Sequence, residues 1–328
     1  MTCFTPQELG YRTSCPQYWL TGAINMRKEK LDFIIIGAQK AGTTSLAEHL
    51  EASQDIYIPA EKEVPYFLEP VMLQRGWQWY LDNFFKDADP ARLWGTSTPQ
   101  YMMHPECFGS IKRALPGVKI IVTLRDPVRR LVSHFDMATR LGVERRSLDE
   151  VIRQQLIQVD ECRAKPYPDH TGKYVASGEY GRIFDALYQQ FAPSQVLVMY
   201  FDDITRNLQQ ELDKVCDFLA IGRFAAAAPE RVRMQGGAKR KLPLDHNGMI
   251  ETMSKLVRAT GLSKVIPDRL KNRVERASSW LDEWNVDPSS KTELSAIPPD
   301  LLHALQHHYA SDTAQLEKAG IYPPWLQR

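Results

Sequence analysis

The chain has 328 residues, with Lys+Arg 41 against Asp+Glu 40, 43% apolar and 25% charged residues. This is an ordinary globular composition with enough apolar material for a sizeable core. The absence of a basic excess gives no reason to expect non-specific nucleic-acid binding, so any anion site must be local.

Residues 1–31 are polar and aperiodic and read as an N-terminal surface arm, leaving 32–328 as one domain. The opening MTCFTPQELGYRTSCPQYWL has neither a basic start nor a continuous apolar segment, which argues against a signal peptide. No run approaches the ~18–20 apolar residues of a membrane span. Cys3, Cys15, Cys107, Cys162 and Cys216 are scattered and never spaced as CxxC. That favours reduced thiols in a cytoplasmic protein over zinc or a disulfide framework, with a Cys3–Cys15 pairing left open.

Short Val- and Ile-rich runs at Phe33–Ile36, Lys119–Leu124 and Gln195–Tyr200 read as strands buried on both faces. Helical patterns lie between and after them, at Thr43–Glu51, Pro127–Leu141, Ser147–Gln158, Gly181–Phe191 and Asn207–Leu219. The alternation predicts an α/β fold, a doubly wound parallel sheet flanked by helices. The segment Gly222–Gly248 turns basic and aperiodic. Helical periodicity returns at Met249–Thr260, Asp268–Trp284 and Pro299–Lys318, which predicts a helical C-terminal part.

The chemistry begins where the first strand ends, in Gly37-Ala38-Gln39-Lys40-Ala41-Gly42-Thr43-Thr44-Ser45. A loop running from strand to helix surrounds an anion with backbone N–H groups and a helix N-terminus. The spacing Gly37-x4-Gly42 is that of a P-loop, but Thr43 stands where a nucleoside triphosphatase carries lysine. The lysine is three residues earlier, at Lys40. Without the lysine that meets the charge of phosphoryl transfer, the loop suits a donor with less charge on the migrating group, such as a phosphosulfate.

A second constellation follows the strand that ends at Leu124. Arg125 emerges at its carboxyl end, where open α/β sheets bind ligands, and Pro127 suits a helix first turn. Ser133 lies eight residues on, about two turns into that helix. Arginine with a serine hydroxyl makes a clamp for a second phosphate, although Arg125 paired to a core carboxylate is the alternative. His134 reads as a packed helix residue, His104 follows a Thr-Pro pair, and His170 lies in a loop. Trp77, Trp79 and Tyr80 read as core rather than as an acceptor pocket.

These segments, with Lys62-Glu63-Val64-Pro65-Tyr66-Phe67, Gly76-x-x-Trp79-Tyr80, Ser97-Thr98-Pro99-x-Tyr101 and LRDPVRRLVSHF, resemble PAPS-dependent sulfotransferases. Order and spacing are similar to the heparan-sulfate-type branch and its soluble bacterial relatives. Gly178-Glu179-Tyr180 and Leu305-x3-Tyr309-x2-Asp312-x3-Leu316 extend the resemblance to the C-terminal region.

The resemblance implies 3′-phosphoadenosine 5′-phosphosulfate (PAPS) as donor, PAP as product and no metal requirement. It assigns Gln39, Lys40, Ala41, Gly42, Thr43, Thr44 and Ser45 to the 5′-phosphosulfate, with Lys40 also stabilising the leaving oxygen. Arg125 and Ser133 take the 3′-phosphate. Lys239, Arg240 and Lys241 lie where the family places a segment that closes over the nucleotide. Glu63 takes the position of the catalytic base, with Lys62 beside it to orient or tune it.

Two departures border the acceptor side. Pro65 stands at a position where the family often has histidine. Thr96 and Ser97 stand where it often has glutamate and a second lysine. The acceptor class is therefore open: a small-molecule, glycan, lipid or polyketide hydroxyl. A P-loop kinase or NTPase, with Thr44 as Mg²⁺ ligand, and a non-catalytic nucleotide-binding protein are the competing readings.

Overall fold

A computed structural model describes residues 31–169, 171–226, 239–240, 286–287 and 292–327. Five parallel strands form the central sheet: β1 Phe33–Gly37, β2 Ile56–Tyr57, β3 Leu93–Ser97, β4 Lys119–Leu124 and β5 Val196–Tyr200. Their order across the sheet is β2-β3-β1-β4-β5. The three strands expected from apolar runs are present. β2 and β3 carry no such run and form against neighbours, with Ile56 opposite Leu93 and Phe33 opposite Gly95.

Helices cover both faces, as the alternation of elements requires. In chain order they are α1 Thr43–Leu50, α2 Pro70–Arg75, α3 Trp77–Phe84, α4 Gln100–Met103, α5 Phe108–Ala114, α6 Pro127–Arg140, α7 Leu148–Ile157, α8 Val159–Ala164, α9 Tyr180–Tyr188, α10 Phe201–Arg206 and α11 Leu208–Leu219, with α12 Pro299–Lys318 towards the C-terminus. The pleat of β1 divides the core: Phe33 and Ile35 pack with Leu46 of α1 and Leu212 of α11, while Ile34 and Ile36 join an aromatic cluster on the other face. Trp77 and Tyr80 stack at 4.8 Å within that cluster. Trp79 is only partly buried and lies under the Arg75 guanidinium. The third core joins α6, α7 and α12 through Leu131, Val151, Leu305 and Tyr309.

The expected helix Pro299–Lys318 is α12, and its polar side chains explain its docking. Asp312 accepts hydrogen bonds from the Gly181 and Arg182 amides, 2.8 and 2.9 Å, at the start of α9. A carboxylate there satisfies orphan N–H groups and complements the helix dipole. The Tyr309 hydroxyl donates to the Val175 carbonyl at 2.9 Å. The expected helices at 249–260 and 268–284 lie outside the described residues, as do residues 1–30 of the expected arm 1–31, whose last residue, Leu31, is buried in the core. No helix among the described residues is long and apolar enough to cross a membrane.

Because β1 has β3 on one side and β4 on the other, chain connections diverge from it in both directions. Open α/β sheets bind ligands at such a switch point, outside the carboxyl ends of the strands. The loops after β1, β3 and β4 all open there.

Candidate active site

The loop after β1 is held open from behind. Ala38 donates its amide to the Thr123 carbonyl at 2.7 Å, the Thr123 hydroxyl donates to Gly37 O, and the Arg125 guanidinium donates to Lys40 O at 3.1 Å. Gly42, the N-cap of α1, has φ +87°, and a Cβ there would meet the Phe201 ring at 3.0 Å. Only glycine takes that turn without strain. No side chain caps α1 and its first turn carries no acid, so its leading amides are left for an incoming anion. Ala41 and Thr43 are buried, while Gln39, Thr44 and Ser45 are half-buried along the same turn.

Lys40 itself lies in the left-handed region, at φ +72°. A non-glycine residue held there carries a backbone cost of about 1 kcal/mol or more and marks a functional constraint. Burial first, then the charges of Arg140 and Arg125, lower the Lys40 ammonium to about 8 against the opposing pull of Glu63 and Asp136. The loop is thus a concentration of positive charge with Glu63 in electrostatic reach.

Arg125 is fixed on three sides. Its guanidinium lies 4.6 Å from the Phe201 ring centroid, its Nη1 holds Lys40 O, and its carbonyl accepts the Tyr180 hydroxyl at 2.8 Å. Tyr180 thus has a definite job: it ties the start of α9 to the β4–α6 loop. Asp126 caps α6 by accepting the Arg129 amide, and Pro127 occupies its first turn. Ser133 is half-buried about 9 Å along α6 from Pro127. No hydrogen bond among the described residues ties it to Arg125. Lys239–Arg240 forms a two-residue strand, β6, antiparallel to Val286–Asp287, β7, and the β6 backbone runs beside α6. Lys241 and His170 lie outside the described residues.

Glu63 projects from a loop stitched to the end of β3 and to α4. The Thr96 hydroxyl and the Ser97 amide both donate to Lys62 O, at 2.7 and 3.3 Å, and the Tyr101 hydroxyl donates to Val64 O at 3.1 Å. Thr96 and Ser97, the residues that break the expected pattern, therefore set the backbone under Glu63. Lys62 does not orient Glu63 as the sequence suggested: it turns to Glu48 on α1, 3.7 Å away. Gln100 occupies the vacated role, with Nε2 3.2 Å from Glu63 Oε2. Burial raises the Tyr167 phenol, and the neighbouring Glu69 and Glu63 carboxylates raise it further.

The histidines behave as packing. His134 is buried and meets Tyr174 edge-on at 4.6 Å. His104 is buried between Glu106, 2.9 Å, and the buried Lys173, 3.2 Å.

A parallel sheet whose switch point carries a lysine-bearing loop before an uncapped helix start, with a braced arginine at the end of the next strand, is an α/β fold equipped to hold an anion. The sulfotransferase domain model matches residues 30–232, and the chain belongs to that family. The membrane-associated sulfotransferase kil1 of Dictyostelium discoideum is 33% identical over 106 residues, 32% of this chain and 22% of that protein. Heparan sulfate glucosamine 3-O-sulfotransferase 3A1 of Mus musculus is 25% identical over 191 residues, 58% of this chain and 46% of that one. The chain thus spans less than half the length of these curated relatives. The crystal structure of a sulfotransferase from Alicyclobacillus acidocaldarius shares the fold, with TM-score 0.63 and 21% identity over 91% of this chain and 99% of that one.

Proposed function

We propose that the protein transfers a sulfuryl group from PAPS to a hydroxyl acceptor, yielding PAP and a sulfate ester. The observation that carries this is Lys40, held in a left-handed backbone conformation beside the uncapped amides of α1, its ammonium lowered to about 8 by burial and by the charges of Arg140 and Arg125. In the reaction the acceptor oxygen bonds to sulfur as the bond from sulfur to the 5′-phosphate oxygen breaks. Glu63 takes the hydroxyl proton, and Lys40 with the α1 amides meets the charge left on the phosphate. Gln39, Ala41, Gly42, Thr43, Thr44 and Ser45 line the phosphosulfate. Arg125 and Ser133 take the 3′-phosphate, and Lys239, Arg240 and Lys241 belong to the segment that the family likeness assigns to closure over the nucleotide. In this proposal residues 32–328 form one transferase domain carrying 1–31 as an arm.

Among small-molecule, glycan and lipid or polyketide acceptors, an uncharged hydroxyl is favoured. Glu63 and Glu69 both act on Tyr167, and a polysulfated chain would meet those carboxylates. Cys107, Cys162 and Cys216 are buried free thiols, which supports action in a reducing compartment such as the cytoplasm.

Labelled PAPS with a panel of hydroxylated acceptors tests the reading. Glu63→Gln is expected to lower turnover about 10²–10⁴-fold with PAP affinity retained. Turnover unchanged in Glu63→Gln would reject Glu63 as the base.

A further inference from the structure

A general base must present its carboxylate to the acceptor in one geometry, because misplacement by an ångström forfeits much of the benefit of proximity. Glu63 is exposed, and nothing in its own loop restrains its side chain: Lys62 is engaged with Glu48. The backbone beneath it is fixed by Thr96, Ser97 and Tyr101, so the remaining freedom is that of the side chain. Gln100, the first residue of α4, supplies the one hydrogen bond given to that carboxylate among the described residues, Nε2 to Glu63 Oε2 at 3.2 Å.

The orientation of the Gln100 amide follows from chemistry. An ionised carboxylate only accepts, so the amide nitrogen must face it, and the reverse rotamer would set oxygen against oxygen. In that orientation the Gln100 carbonyl oxygen is buried without a partner among the described residues. A side chain serving only to fill space would not leave an acceptor unpaired while reaching for an exposed acid.

We propose that Gln100 is a positioning residue for the base: it holds one Glu63 oxygen and leaves the other to receive the acceptor proton. The proposal rests on the sulfuryl-transfer reading and adds a residue to it.

The test uses the full chain, labelled PAPS and the acceptor panel, with Gln100→Ala and Gln100→Glu placed in wild-type and Glu63→Gln backgrounds. Gln100→Ala is expected to lower kcat about 10- to 100-fold with the KM for PAPS and the affinity for PAP unchanged. Gln100→Glu keeps the shape but sets a second carboxylate against the first, so it is expected to be at least as damaging. Both losses are expected to vanish once Glu63 is already Gln, since a positioning residue has nothing left to position. Equal turnover in wild type, Gln100→Ala and Gln100→Glu would overturn the proposal, as would losses that persist undiminished in Glu63→Gln. Wild-type protein that binds PAP yet sulfates no acceptor would instead overturn the transfer reading, and the positioning role with it.

Discussion

With Lys40 on the 5′-phosphate as proposed, donor binding is expected to depend on pH in a direction fixed by the surroundings of the lysine. In the free protein its ammonium is lowered to about 8 by burial first and by Arg140 and Arg125 next. A bound 5′-phosphate supplies the missing counter-charge and raises it again, so binding takes up a proton wherever the free lysine is neutral. The nucleotide phosphates are already ionised above about pH 7 and do not titrate in this window. If binding restores the ordinary value of 10.5, affinity for PAP falls about tenfold between pH 7 and pH 9. Calorimetry at pH 7, 8 and 9, in two buffers of different ionisation enthalpy, reads both quantities. The expected result is the tenfold weakening together with uptake approaching one proton at pH 9, both absent in Lys40→Gln. Affinity flat from pH 7 to 9, or a slope that survives in Lys40→Gln, would refute the assignment of Lys40 to the phosphosulfate.

Arg125→Lys keeps the charge but loses the stacking on Phe201 and the fixed fork that reaches Lys40 O. PAP affinity is expected to fall about 10- to 100-fold, with 5′-AMP affected far less because it lacks the 3′-phosphate; equal losses for the two nucleotides would contradict the clamp. Glu179 is a buried hub held by Arg163, Arg182 and His308. Burial alone would raise its carboxyl, but hydrogen bonds from His308, Arg163 and Arg182 outweigh that and hold it at about 2. A depressed carboxylate stabilises the fold above its ordinary value of 4.5 and loses that contribution as pH falls towards 2. Glu179→Gln is therefore expected to cost about 3 kcal/mol at pH 7 in urea unfolding, shrinking to about 1.4 kcal/mol at pH 3. A gap that does not change with pH would contradict it.

The parts of the fold that announce themselves in sequence are those whose own residues dictate their state. β1 and β4 read as apolar runs because both faces are covered, β5 is an apolar run that stays half-buried at the sheet edge, and α6 and α12 begin with proline in the first turn. β3 was invisible because Leu-Trp-Gly-Thr-Ser has no strand signature of its own. Gly95 is there because the Phe33 ring fills the space a Cβ would take, a constraint imposed by the neighbouring strand. The same distinction divides the site. The loop carrying Lys40 and Gly42, and Arg125 at a strand end, are local devices that spacing reveals. The partner of Glu63 is not local: Lys62 adjoins it in sequence yet pairs with Glu48, while Gln100 arrives from the residues after β3. A glutamine following Thr98-Pro99 carries no motif, so only the folded chain brings it to the base. Tyr180 is a similar case, a motif residue whose task is to hold the Arg125 carbonyl.

Sulfuryl transfer from PAPS requires the site at the switch point of the sheet to bind a nucleotide phosphorylated at both ends. Calorimetric titration of the full chain with PAP, 5′-AMP and ATP, each with and without Mg²⁺, tests it most directly. PAP is expected to bind without metal and more tightly than 5′-AMP, with the margin lost in Arg125→Lys. No heat with PAP, or Mg²⁺-dependent binding of ATP that Thr44→Ala weakens, would contradict it.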